Sequence, residues 1–529
     1  MNRLLKRANA RASLGNAAAL LIIVSLVGQV LGFLRYKLVN ANFPAIGGQS
    51  TDAYFAAFKI PDFFFFTLAA GALGVAFMPI LAEHMQRGDR KGVWDLSNSL
   101  LNLLTIIMAF VGVIILVFAR PLLHYVVAPG LPPEQLNNAV LIMRIVAFNP
   151  MLFAISGVLV SVQQTYGRFF FYAMAPIGYN LSIIISIFVF RHNVGLVGLG
   201  VGAMLGAVLQ LLIVLFGLPG ISFHWKPKIM WRSQDFQLIL RNLPPRSIDQ
   251  GIDSINSIVE TNLAARIGLG NISYYENAYI LSTTPVLLIG TAIATAAFPR
   301  LNDRLAQGRP DLFRRDFLQI LRAMIWIAMP LSIICYFARG YFARLIFTTS
   351  APQIAGIFGL LAGAIFFRTL YAIISRWFYS QKDTVTPLVV SLFTIGLNIY
   401  LAIHLSRPSA YGIIGLAMAQ SIVAAVEVAI LFCIMLYRDP KMFDRYFWGG
   451  LVKIVSVTGF SVLAAFVMIS LLPLNLGDRG FITLGFKLGS IVAVTFGVHV
   501  AISWLFGLEE VGPVINKTRQ LLKATVRIQ

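Results

Sequence analysis

The chain has 529 residues, of which 58% are hydrophobic and 12% charged, about half the charged share of a soluble domain. That composition excludes a water-soluble globular fold and makes this a polytopic membrane protein. Its 42 Lys and Arg against 21 Asp and Glu give a net charge of +21; the cations gather at the ends of apolar runs, as the positive-inside rule places them, and nucleic-acid binding is set aside.

The N-terminal "MNRLLKRANARASLGNAAALLIIV" has the basic start and apolar run of a secretory leader, but the run continues to residue 42, which suits an uncleaved first span. A helix needs about 20 apolar residues to cross the hydrocarbon core. On that basis fourteen spans are predicted, at 17–42, 52–83, 96–119, 134–163, 169–190, 194–220, 237–265, 273–299, 318–338, 351–378, 384–405, 411–437, 447–473 and 481–507. Several are longer than a crossing requires, which implies tilt, breaks or extension past the membrane. The two tails and every second connection hold 24 Lys and Arg, and the other seven connections hold 7. Both termini are therefore expected on the cytoplasmic side of the membrane. Cys335 and Cys433 are far apart in apolar stretches and imply no disulfide framework. The six histidines lack metal-ligand spacing. No Gly-Lys dipeptide occurs, so there is no Walker A loop, and transport would run on an ion gradient, the membrane potential or a partner's ATPase.

The two halves of the chain repeat one another. "AFMPILAEHMQRGD" (76–89) parallels "AAFPRLNDRLAQGRPD" (296–311), with Pro79 opposite Pro299 and Gly88 opposite Gly308. Further on, "QQTYGRFFFYAMAPIGYNLSIIISI" (163–187) parallels "YSQKDTVTPLVVSLFTIGLNIYLAI" (379–403), and "GLVGLGVG" (195–202) parallels "GIIGLAMA" (412–419). The offset stays close to 220 residues, which sets spans 1–6 against spans 7–12 in the same orientation. Two bundles of six helices with pseudo-twofold symmetry about the membrane normal are expected. The predicted domains are 1–220, a cytoplasmic linker at 221–236, 237–437, and an appended pair of helices with a tail at 438–529.

Ionisable groups at membrane depth are costly and usually line a cavity or pair with one another. In the first two spans these are Arg35, Asp52, Lys59 and Asp62. They read either as interfacial pairs or as a basic site for an anionic headgroup. Span 7, "RNLPPRSIDQGIDSINSIVETNLAAR", spaces Asp249, Asp253, Asn256 and Glu260 by 4, 3 and 4, so all four share a helical face. A stripe of carboxylates cannot face lipid; it meets a wet cavity or basic partners, for which Arg35, Lys59, Arg144 and Arg368 are candidates. The Pro pair in "LPP" (243–245) is expected to break this helix. Arg144, Asn149, Asn180, Asn398, Gln420 and Glu427 read as interhelical bonds.

The stretches "GQVLGFLRYKLV", "TDAYFAAFKIPD", "AFMPILAE", "VAPG", "APIGYNLSIII" and "PPRSIDQGIDSINSIVETNLA" together resemble the MurJ (MviN) family of the MOP exporter superfamily, through at least spans 1–12. The resemblance implies a lipid II flippase, not an enzyme that makes or breaks bonds. It would carry an undecaprenyl-diphosphate-linked cell-wall precursor outward by alternating access, with spans 13 and 14 forming a groove for the lipid tail. Arg35 and Lys59 would attract the diphosphate, with Asp52 positioning them, and the span 7 carboxylates would take the peptide amine or a coupling cation, Na+ or H+. Cell-wall synthesis proteins are the expected protein partners. The chain departs from the family where arginines are implied at Gln29, Phe65, Phe66 and Ile280 and a glutamate at Ala70. Arginine holds pyrophosphate through bidentate, charge-assisted bonds, so these changes and the added acid of span 7 keep two alternatives open: a MATE-like, cation-coupled exporter of cationic molecules, and a non-transporting scaffold of cell-wall enzymes.

Overall fold

A segment crossing lipid has no water for its amides, and an α-helix satisfies them within itself. The structure, a computed structural model, is accordingly helical, with no strand among its described residues. Those residues are 14–70, 77–221, 223–347, 350–475, 477–478, 480–512 and 515; the side chains of 14–19, 22, 70 and 242–250 lie outside the description.

In chain order the helices are α1 (Leu14–Asn42), α2 (Thr51–Phe64), α3 (Met78–Gln86), α4 (Arg90–Pro121), α5 (Pro133–Ile145), α6 (Asn149–Thr165), α7 (Phe170–Phe190), α8 (Val197–Leu215) and α9 (Gln234–Ile267). They continue as α10 (Asn271–Pro285), α11 (Ala292–Ala306), α12 (Pro310–Phe337), α13 (Arg339–Ile346), α14 (Ala351–Ser380), α15 (Val385–Leu405), α16 (Ile413–Arg438), α17 (Arg445–Leu471) and α18 (Phe481–Leu505). Eleven helical stretches among the described residues are long and apolar enough to cross a membrane. They correspond to predicted spans 3–6 and 8–14. Spans 1, 2 and 7 are helical as α1, α2 and α9 but are not among the eleven, so the count of fourteen is not established. Span 7 is the polar one, with Asp253, Asn256 and Glu260 along it. The expected break at Pro244 and Pro245 does not occur: α9 runs unbroken from 234 to 267. Two adjacent prolines remove two amide donors from one turn, a loss a long helix absorbs where neighbouring bonds hold it.

The helices gather into two compact units, Met1–Ser273 and Tyr274–Gln529. Compactness groups α9 with the first unit, whereas the repeat, a statement about sequence, groups it with the second half. The core of the first unit is built from α4, α6 and the turn after α2, around Phe77, Leu100, Met108 and Phe236. That of the second packs α12 on α14 and α17, around Trp326, Phe317, Phe378 and Phe447.

The repeat is legible in the backbone. A wide π-helical turn follows α2 at Phe65–Ala70, and its counterpart follows α10 at Val286–Thr291, an offset of 286 − 65 = 221 residues. Gly88 and Gly308 both take φ near +70° (73° and 67°), Gly195 and Gly412 do likewise (68° and 57°), and Gly167 (73°) is matched by Lys382 (62°). Gly88, Gly167, Gly308 and Lys382 turn left-handed just past a helix end, a conformation that a missing Cβ eases at the three glycines, and Gly412 caps the start of α16. Several turn signals recur with the same hand in both halves, which chance similarity between apolar helices would not produce.

Candidate functional site

Helix α2 begins where the Ser50 hydroxyl accepts from the Asp52 amide at 3.1 Å, an N-cap. Asp52 itself is 1% exposed. Its carboxylate accepts from the Gly270 amide at 2.6 Å, the Ser273 amide at 2.7 Å and the Ser273 hydroxyl at 2.6 Å. Thr51 Oγ1 adds a hydroxyl contact to Ser273 at 2.7 Å. The acid thus holds the entry of α2 on the turn that opens α10, compensated by oriented amides as an anion is at a helix N-terminus. Neither Arg35 nor Lys59 is among its partners.

Two turns further along α2, Lys59 Nζ donates to Ser257 Oγ of α9 at 2.8 Å. Ser257 shares its face with Asp253, Asn256 and Glu260, since 253/257 and 256/260 are each one turn apart. Asn256 Nδ2 donates to Glu260 Oε1 at 3.2 Å, and Glu260 is 4% exposed. The structure therefore brings Lys59 onto the acidic face of α9. Asp249 belongs to the same predicted face, but its side chain lies outside the described residues.

Arg35 is elsewhere. Its guanidinium carbon lies 4.7 Å from the ring centre of Tyr36 and 6.0 Å from that of Tyr179 on α7, with Tyr54 of α2 beside it. Among the described residues it has no carboxylate partner. The aromatic faces attract the cation, and the Tyr36 side chain adds a hydrogen bond to it. Phe65 meets Phe66 at 5.4 Å and Phe153 at 5.7 Å, and Phe153 meets Tyr179 at 5.4 Å. The phenylalanines of "PDFFFF" thus continue an aromatic wall that ends at Arg35.

In the second unit, Arg368 of α14 donates to the Tyr279 hydroxyl at 3.0 Å and to Gln420 Oε1 of α16. Tyr279, Ser282, Thr283, Arg368 and Gln420 form the polar part of an otherwise apolar cavity of about 370 Å³. This cation stands at the neighbour of Ile280, one of the positions where an arginine was implied. Arg144, another candidate partner for the acids, instead donates to the Leu116 carbonyl at 3.1 Å. Of the expected interhelical polar groups, Gln420 links α16 to α14 and Glu427 accepts from Ser391 of α15 at 2.8 Å. The Asn149 side chain makes no hydrogen bond among the described residues, and Asn180 bonds back to Pro176 of its own helix. Cys335 and Cys433 are free thiols, and no group of three or more His, Cys, Asp or Glu able to hold a metal occurs among the described residues.

Sequence reasoning missed Ser257, Gly270, Ser273 and the tyrosines around Arg35. Gly270 lies 218 residues from Asp52, so no local spacing signals it. The tyrosines read as ordinary apolar-face aromatics.

Long apolar helices, two wide turns at repeat-related positions and cations set against tyrosine and acid define a polytopic helical membrane protein with charged groups at membrane depth. Among solved structures, the lipid II flippase MurJ in an inward closed conformation matches with a TM-score of 0.76 at 20% identity, covering 92% of this chain and 98% of that one. An inward-facing MATE family multidrug resistance transporter of the MOP superfamily matches with a TM-score of 0.69 at 16% identity, covering 80% of this chain and 98% of that one. The chain belongs to the lipid II flippase MurJ family, whose sequence pattern it matches over residues 46–483. A relative from Borreliella burgdorferi, described as a probable lipid II flippase MurJ, is 24% identical over 453 residues, 84% of this chain and 87% of that protein.

Proposed function

We propose that this protein is a flippase for lipid II, moving the diphosphate-linked precursor across the cytoplasmic membrane by alternating access, without covalent chemistry. The observation that carries the reading is family membership across residues 46–483, joined to a charged face at which Lys59 of α2 meets α9 through Ser257. Arg35, held by tyrosines with no carboxylate partner among the described residues, offers its charge to the diphosphate, and Lys59 supplies a second cation. Arg368 beside Tyr279 supplies a third in the second unit, at the neighbour of the arginine-free position 280. Asp253 and Glu260 take the amine of the precursor's peptide or a coupling cation, Na+ or H+, with the membrane potential as the remaining drive. Asp52 fixes the entry of α2. Both termini face the cytoplasm, on the Lys and Arg count of 24 against 7, and cell-wall synthesis proteins are its protein partners.

The test is complementation of a bacterium depleted of its lipid II flippase, with growth and surface-accessible lipid II followed together. Rescue by the wild-type chain and its loss in Arg35→Ala and Asp253→Asn are the expected results. A membrane-inserted protein that never rescues overturns the reading. A MATE-like export of organic cations is the second reading, favoured by the wall of Phe65 and Phe66 and by the acid on α9. Binding of an organic cation in preference to lipid II would select it.

A further inference from the structure

The connection between α8 and α9 carries no motif, yet it is not loosely placed. Residues 223–230 run as an extended strap along the first turns of α4, held by a ladder of Asn and Ser side chains. Asn98 Nδ2 donates to the His224 carbonyl at 3.0 Å, and its Oδ1 accepts from the Lys226 amide at 3.2 Å. Asn102 Nδ2 donates to the Lys226 and Lys228 carbonyls at 2.7 and 3.1 Å, and its Oδ1 accepts from Trp225 Nε1 at 2.9 Å. The Met230 amide donates to Ser99 Oγ at 3.1 Å. Phe223 turns inward onto Trp94, ring centres 5.2 Å apart, and Ile229 packs on the core of the first unit.

With the backbone fixed, the outward side chains are Trp225, 60% exposed, and Trp231, 54% exposed, with Lys226, Lys228 and Arg232, all exposed. None of the three cations has an ion-pair partner among the described residues. The nearby acid Asp235 is engaged by His84 Nε2 at 3.0 Å. Depth is set by the clamp: Asn98 and Asn102 lie at the start of the predicted span 96–119, so the strap runs at the level where hydrocarbon gives way to headgroups. Tryptophan paired with Lys and Arg at that level is the chemistry of an interfacial anchor on anionic lipid.

We propose that this strap binds the headgroup of an anionic phospholipid, Lys226, Lys228 and Arg232 taking the phosphodiester while Trp225 and Trp231 seat at the glycerol level. That this is the cytoplasmic leaflet rests on the orientation proposed above; the binding itself is independent of what the protein transports. The clamp fixes the backbone that carries Lys226 and Lys228, together with the Trp225 ring, before a lipid arrives, so less backbone ordering entropy is left to lose.

The test uses the purified full chain in nanodiscs of phosphatidylcholine with and without phosphatidylglycerol, counting retained phosphatidylglycerol by native mass spectrometry. The variant Lys226→Gln/Lys228→Gln/Arg232→Gln is compared with Arg315→Gln/Lys441→Gln/Arg445→Gln, which removes the same charge from exposed positions of the second unit. The strap variant is expected to lose phosphatidylglycerol affinity by roughly fivefold per cation removed, with the control unchanged. Trp225→Ala/Trp231→Ala should weaken binding while leaving all charges in place. Equal loss in the strap variant and the control would mean net charge alone attracts the lipid and would overturn the site, as would no loss in the strap variant. Helical circular dichroism matching wild type ensures that lost binding is not lost folding.

Discussion

At the scale of single residues, backbone conformation and hydrogen-bond supply yield four predictions. Lys382 is the non-glycine residue with positive φ among the described residues, at 62°, where its repeat partner Gly167 turns the chain at 73°. A side chain in that region costs roughly 1 kcal/mol, so Lys382→Gly should raise the thermal midpoint of the purified protein. Gly308→Ala, at φ 67° with open space around it, should lower it by a similar energy. Asp52 is the acceptor for two buried amides and a hydroxyl. Asp52→Ala leaves those donors without partners and should cost about 2–4 kcal/mol, seen as reduced membrane yield and a lower midpoint. At the turn between α14 and α15, partial burial acts to raise the Asp383 carboxyl. The hydroxyl and amide of Thr386 and the Arg438 guanidinium outweigh it and hold the group at about 2. A depressed folded value contributes stability that is complete above the unfolded value of about 4 and is lost as pH falls through about 2. Asp383→Asn should flatten the acid limb of a stability profile in that window.

At the scale of elements, polar side chains at helix ends decide how the appended helices attach. Arg322 of α12 stands 2.5 Å from Glu510, just past α18, with both side chains buried, and its guanidinium lies 4.7 Å over the ring of Tyr446 on α17. Deeper in, His499 of α18 lies between Ser461 of α17 at 2.8 Å and the Trp326 carbonyl at 3.0 Å, while Trp326 Nε1 donates to Ser503 at 2.7 Å. Glu510→Gln alone should destabilise by about 3–5 kcal/mol, because it leaves a buried guanidinium uncompensated. Arg322→Met with Glu510→Leu should cost less than the two single changes together, which thermal unfolding of the four proteins would measure. The length of apolar runs gave the spans, since a helix in lipid satisfies its amides locally. It could not give the π-helical turns at 65–70 and 286–291, where one added residue per turn changes which side chains face together, nor the continuity of α9 through Pro244 and Pro245.

At the scale of the molecule, the repeat and the charge count predict topology. Tags at both termini should be inaccessible to membrane-impermeant reagents added outside intact cells, and labelling of either from outside would reverse the orientation. Arg35 and Lys59 were legible as unusual charges at membrane depth, and Asp253, Asn256 and Glu260 as one helical face. Their partners were not, because Ser257 lies 198 residues from Lys59 and the tyrosines around Arg35 come from three helices.

Composition, apolar run length and the placement of Pro and Gly determined by themselves that this is a repeated helical membrane protein, because helix formation in lipid is a local demand met residue by residue. Which charges meet was decided by tertiary structure alone. Ionisable groups at membrane depth are stabilised by whatever packing brings to them, so Asp52 closes on the amides of 270–273, Lys59 on α9, and Arg35 on tyrosine.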